Sequence, residues 1–106
     1  MYICAPLGGD TQDNLEKAKR YTEYALKCGA APVAPHFYEY CLNEGTPEEY
    51  GAGFYAGMSL LWLCDELWLI GNEITERMRC EIDFCQKLNI RTRAVKDCEI
   101  QKVLGE

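Results

Sequence analysis

The sequence holds a single histidine, His36, and its seven cysteines form no CxxC pair. The ligand spacings of a zinc site are therefore missing, and neither a metal nor a cofactor is expected. Basic residues are few: 11 Lys and Arg stand against 17 Asp and Glu, for a formal net charge of -6. An acidic chain of this kind is a poor partner for DNA or RNA, whose phosphates need Lys and Arg to replace their counterions. The longest apolar run, Leu60 to Cys64, is far too short to cross a bilayer, and no charged-then-apolar leader is evident. These features predict a reduced, cytoplasmic protein with no nucleic-acid or membrane partner, whose cysteines mainly fill small spaces in the core.

What remains is ordinary globular material. The chain has 106 residues, 48% of them apolar, which suits one domain with one core. Tyr2 to Ala5 reads as a short buried strand ended by Pro6. After a Gly8-Gly9 loop, Asp13 and Glu16 form a capping-box pattern that opens a helix, and Gly29 stops it. Ala31 to Ala34 reads as a second strand cut by Pro35. Thr46-Pro47-Glu48-Glu49 is the clearest helix start in the chain and predicts a helix to about Cys64. Leu67 to Ile70 reads as a strand buried on both faces, and Thr75 to about Leu88 as a helix with Met78, Ile82, Cys85 and Leu88 on one stripe. Ile90 to Ala94 is a fourth strand and Asp97 to Leu104 a short last helix.

The order βαβαβαβ predicts an α/β, three-layer, Rossmann-like (flavodoxin-like) fold with a four-stranded, mainly parallel sheet, spanning residues 1–106 as one domain. Ligands of such sheets sit outside the carboxyl ends of the strands, where the loops at 6–12, 35–46 and 71–77 meet.

The opening Tyr2-Ile3-Cys4-Ala5-Pro6, the Gly8-Gly9 loop, and Cys64-Asp65-Glu66-Leu67-Trp68 followed by Glu81-Ile82 resemble the nucleoside 2-deoxyribosyltransferase superfamily. The spacing from Asp65 to Glu81 matches its deoxynucleoside monophosphate N-hydrolase branch, and the whole looks most like a small uncharacterised bacterial and phage family related to those enzymes. The resemblance implies a site that cleaves or transfers at the bond between base and deoxyribose. It places the attacking glutamate at Glu81, the tyrosine that positions it at Tyr2, the sugar-facing loop at Leu7, Gly8 and Gly9, and the phosphate-facing hydroxyl at Thr75. It also implies departures. The substrate-orienting acid of the enzymes falls on Gly57, and Arg77 stands where a glycine is usual.

Each candidate also has a plain structural reading. Glu81 could be a nucleophile or an i,i+4 partner of Arg77. Asp10 could replace the missing acid or simply turn the chain, and Gly8-Gly9 could approach a sugar or form an ordinary turn. Thr75 could cap a helix whose free N–H groups at 76–78 hold a phosphate, with Arg77 adding charge. His36 could contact a base or donate a proton, or be an ordinary loop residue. Tyr38 and Tyr40 could stack on a base or pack structurally.

Three functional classes follow: an enzyme acting on a deoxyribonucleoside or its 5′-monophosphate, a non-catalytic nucleotide-binding or sensing module, or a purely structural or assembly protein whose crevice is vestigial. The 47–64 helix is apolar nearly all round, with Phe54, Tyr55, Met58, Leu60, Leu61, Trp62 and Leu63. That pattern predicts a homodimer or larger homo-oligomer through this helix, with Ala52, Gly53, Ala56 and Gly57 letting another backbone come close.

Overall fold

The computed structural model describes residues 1–6, 11–42 and 46–106. Three parallel strands, β1 (Tyr2–Cys4), β2 (Glu66–Ile70) and β3 (Arg91–Val95), pair in the order β1-β2-β3. Tyr2 lies opposite Leu67 and Cys4 opposite Leu69, while Ile70 lies opposite Val95. Among the described residues four helices accompany them: α1 (Thr11–Lys27), α2 (Pro47–Leu61), α3 (Glu76–Lys87) and α4 (Asp97–Leu104).

Among the described residues the sheet thus has three strands, not the expected four. Residues 31–34 contribute one bridge, between Val33 and Tyr2. Val33 donates to the Met1 carbonyl at 2.8 Å and accepts from the Ile3 amide at 2.9 Å. Its neighbours cannot extend this ladder. Pro32 has no N–H, and Pro35 opens a 3-10 helix, Pro35–Tyr40, directly after Ala34. The fourth strand shrinks to a single residue against the outer edge of β1.

Strand alternation divides the core into two. Ile3, Ala5, Trp68, Ile70 and Val95 pack with Tyr24 and Ala25 of α1 and Ile100 of α4. Tyr2, Cys4 and Leu67 face the other way, toward Leu61 of α2 and Met78 and Cys85 of α3. Helices therefore cover both faces. Arg20 of α1 ties the first layer together by pairing with Asp97 at 2.7 Å and Glu106 at 2.6 Å.

The helix starts follow local chemistry. Thr46 caps α2 by accepting from the Glu49 amide at 3.4 Å, with Pro47 in the first turn. Thr75 caps α3 by accepting from the Met78 amide at 3.2 Å. The buried residues of α2 are Gly53, Gly57 and Leu61, four apart on one face. Gly57 on this face stands against the Tyr2 hydroxyl and the Pro35 ring of the same chain. The bulky residues Tyr55, Trp62 and Leu63, at α2 and just past its end, are exposed.

The cysteines also differ from expectation. Only Cys4 and Cys85 are buried and Cys64 is half-buried. Cys28, Cys41, Cys80 and Cys98 are exposed, and all seven are free thiols. Helix periodicity explains this: Cys80 lies off the Met78–Cys85 stripe that faces the sheet.

Candidate functional site

β1 aims two side chains at α3. Tyr2 and Cys4 are two residues apart, so both point to the α2/α3 face of the sheet. Glu81, in the second turn of α3, meets them there and is 6% exposed. The Tyr2 hydroxyl donates a hydrogen bond to Glu81 Oε2. The Cys4 thiol lies 3.6 Å from Oε1, within reach of an S–H···O bond. One carboxyl group is thus held at both oxygens, by residues 79 and 77 positions away in sequence.

The electrostatics assign the protons. Burial pushes the Glu81 carboxyl above the usual range, and the Tyr2 hydrogen bond, the Arg77 guanidinium and the Cys4 thiol pull it back. Burial, and next the negative charge of Glu81, push both the Tyr2 hydroxyl and the Cys4 thiol far up. Both therefore stay protonated and donate to the Glu81 carboxyl.

Gly57 completes the wall. Its backbone is helical, so conformation does not require glycine; space does. A Cβ there would lie 2.9 Å from Tyr2 Oη and 3.2 Å from Pro35 Cγ. No acidic side chain fits at Gly57 while Tyr2 keeps its bond to Glu81.

His36 is the second residue of the 3-10 helix and is buried, 4% exposed. Its Nε2 lies 3.3 Å from the Ala5 carbonyl oxygen, which can only accept, so Nε2 carries the proton. Nδ1 is then a buried acceptor, with no hydrogen-bond partner among the described residues. Burial holds the imidazole pKa down at about 4, a direction that the Ala5 bond opposes and Arg77 reinforces. At neutral pH His36 accepts hydrogen bonds and does not serve as an acid.

Arg77 sits between α2 and α3, its guanidinium carbon 5.3 Å from the Tyr50 ring centroid and 5.6 Å from that of Phe54. The expected phosphate cradle at 76–78 is narrower than supposed, because the Met78 amide is already used by Thr75. Leu7, Gly8, Gly9 and Asp10 lie outside the described residues. The structure thus brings Tyr2 and Glu81 together, lines up Arg77 beside them, and adds Cys4, whose role sequence reasoning missed. Cys4 was identifiable from strand alternation, which puts it on the Tyr2 face.

A separate cleft of about 800 Å³ opens at the carboxyl ends of β2 and β3, lined by Pro6, Tyr21, Gly71, Asn72, Lys96 and Asp97 among others. It involves none of the site residues above. Among the described residues no three His, Cys, Asp or Glu side chains gather as a metal site, and no helix is long and apolar enough to cross a membrane.

Residues 1–95 match a family model described as a domain of unknown function (DUF7768). The chain belongs to this family. The match runs from Met1 to the end of β3, so this DUF7768 domain includes Tyr2, Cys4, Gly57 and Glu81, and α4 lies beyond it. No curated protein matches the sequence.

Proposed function

We propose that this DUF7768 protein cleaves or transfers at the N-glycosidic bond of a deoxyribonucleoside 5′-monophosphate, with Glu81 as nucleophile. The observation that carries the reading is the buried Tyr2–Glu81 hydrogen bond, which fixes the carboxylate at one oxygen. In the first step a Glu81 oxygen bonds to C1′ of the sugar while the C1′–N bond breaks, and the base leaves with the bonding electrons and takes up a proton from solvent. In the second step water or another base attacks C1′ and releases a proton to solvent, while the bond from Glu81 to C1′ breaks and Glu81 departs as carboxylate. Tyr2 orients Glu81 throughout. Thr75, the amides of residues 76 and 77, and Arg77 face the phosphate. The Nδ1 lone pair of His36 accepts an N–H or O–H of the ligand. No metal or cofactor enters the scheme.

One observation favours a second reading. The position that carries an acid in the enzymes is Gly57, and Tyr2 Oη occupies the adjoining space. A non-catalytic nucleotide-binding or sensing module on the same frame needs no such acid. Incubation with each deoxynucleoside 5′-monophosphate, followed by chromatography, separates the two. Free base supports the enzyme. A thermal shift with the monophosphates but no free base supports the module.

The site is proposed to work in a homodimer or larger homo-oligomer, in a reduced cytoplasmic compartment. Supporting the first are Tyr55, Trp62 and Leu63, each more than half exposed along the outer side of α2 and its end. Supporting the second are seven cysteines that all remain free.

A further inference from the structure

We infer that Cys4 is a positioning residue for Glu81, its thiol holding the second carboxyl oxygen and favouring the ionised form. The inference rests on the reading of Glu81 as the reacting group. Tyr2 alone would leave the carboxyl free to turn about its terminal bond, since one hydrogen bond fixes one oxygen. The Cys4 thiol at 3.6 Å from Oε1 supplies the second point, so the plane of the carboxylate is set by two donors on one strand. Both donors are among the most buried side chains of the protein, each 1% exposed, so water does not compete for their protons.

A thiol is suited to this place. It is small enough to sit beside Leu67 and Cys85 in an apolar layer, and it donates weakly, so it orients Oε1 without tying it as firmly as Tyr2 ties Oε2. The two oxygens are therefore unequal. Oε1, under the weaker donor, is the one free to form a bond to C1′, while Oε2 keeps its partner. The other titratable groups around Glu81 are Arg77, which favours its charge, and Cys85, whose own thiol burial and Glu81 push up to about 11. Cys85 is thus neutral at physiological pH, and Tyr2, Cys4 and Arg77 are the groups that set the Glu81 charge.

The test reads Glu81 directly. Its side-chain carboxyl carbon is followed by NMR against pH in the wild type, Cys4→Ala and Cys4→Ser. Loss of the donor should raise the Glu81 midpoint by about half a pKa unit, and the serine hydroxyl should restore it, which loss of packing alone would not do. Raman spectra of the wild type and Glu81→Ala provide a reading that needs no Cys4 variant. One S–H band should lie below the exposed thiols and move up when the carboxyl is removed. An unchanged Glu81 midpoint in Cys4→Ala, or an S–H spectrum indifferent to Glu81→Ala, overturns the inference. Neither readout needs turnover, so a failure of the proposed chemistry, seen as base release that survives Glu81→Gln, is told apart from a failure of the thiol contact.

Discussion

Replacing Gly57 with alanine puts a methyl group where the Tyr2 hydroxyl already sits. The added Cβ would lie 2.9 Å from Tyr2 Oη, about 0.5 Å inside ordinary contact, and 3.2 Å from Pro35 Cγ. Overpacking of this kind costs about 1–3 kcal/mol. Alanine in a helix interior returns about 1 kcal/mol relative to glycine, so the net loss should be about 0–2 kcal/mol. The informative quantity is the coupling to Tyr2. In a Tyr2→Phe background the oxygen is gone, so the helix-propensity gain should offset most of what remains, the Pro35 contact. Urea denaturation of the wild type, both single variants and the double variant gives the cycle. The account expects Gly57→Ala to be worse in the presence of the hydroxyl by about 1 kcal/mol or more. Equal costs in the two backgrounds, within the ~0.5 kcal/mol of ordinary additivity, would refute the claim that Gly57 keeps space for Tyr2.

Three further outcomes follow from the same contacts. His36 is neutral when folded, with a pKa of about 4 against roughly 6.5 when unfolded, so its contribution to stability is present above pH 6.5 and is lost as pH falls toward 4. Urea midpoints at pH 7 and pH 5 should therefore show about 2 kcal/mol more acid loss in the wild type than in His36→Asn, whereas the raised carboxyl of Glu81 acts in the opposite sense and cancels in that comparison. Thr75→Ala removes the cap that accepts from Met78 and should cost about 1 kcal/mol in the same assay, while weakening deoxynucleotide binding measured by calorimetry. Light scattering at micromolar concentration should give at least a dimeric mass, and a Trp62→Glu, Leu63→Lys pair should give a monomer; a monomeric wild type sinks the proposed assembly.

Local chemistry made much of this fold legible. Thr46-Pro47 and Thr75 open helices because their hydroxyls and the proline ring act within one turn, and the helical stripe of Met78 and Cys85 faces the sheet as its spacing requires. The segment at 31–34 misled because its apolar residues suit a strand, while Pro32 and Pro35 flank Val33 and leave it a single bridge to Tyr2. A helix apolar all round, such as α2, does not say which stripe is inside; here Gly53, Gly57 and Leu61 are the buried ones, with Gly57 against Tyr2 and Pro35. The Tyr2–Glu81 pair spans 79 residues and no local pattern announces it; the resemblance did. The burial of His36 escaped notice because a residue after a proline in a short loop is expected to be solvated, whereas the 3-10 turn folds it back onto the Ala5 carbonyl.

The central claim is that Glu81 attacks the sugar. Its most direct measurement is intact-protein mass spectrometry after rapid acid quench with deoxynucleoside 5′-monophosphates, followed by peptide mapping. The account predicts a deoxyribose-5-phosphate adduct on the peptide bearing Glu81, with matching release of free base, and neither in Glu81→Gln. Base release undiminished in Glu81→Gln, or an adduct mapped to another residue, would contradict it.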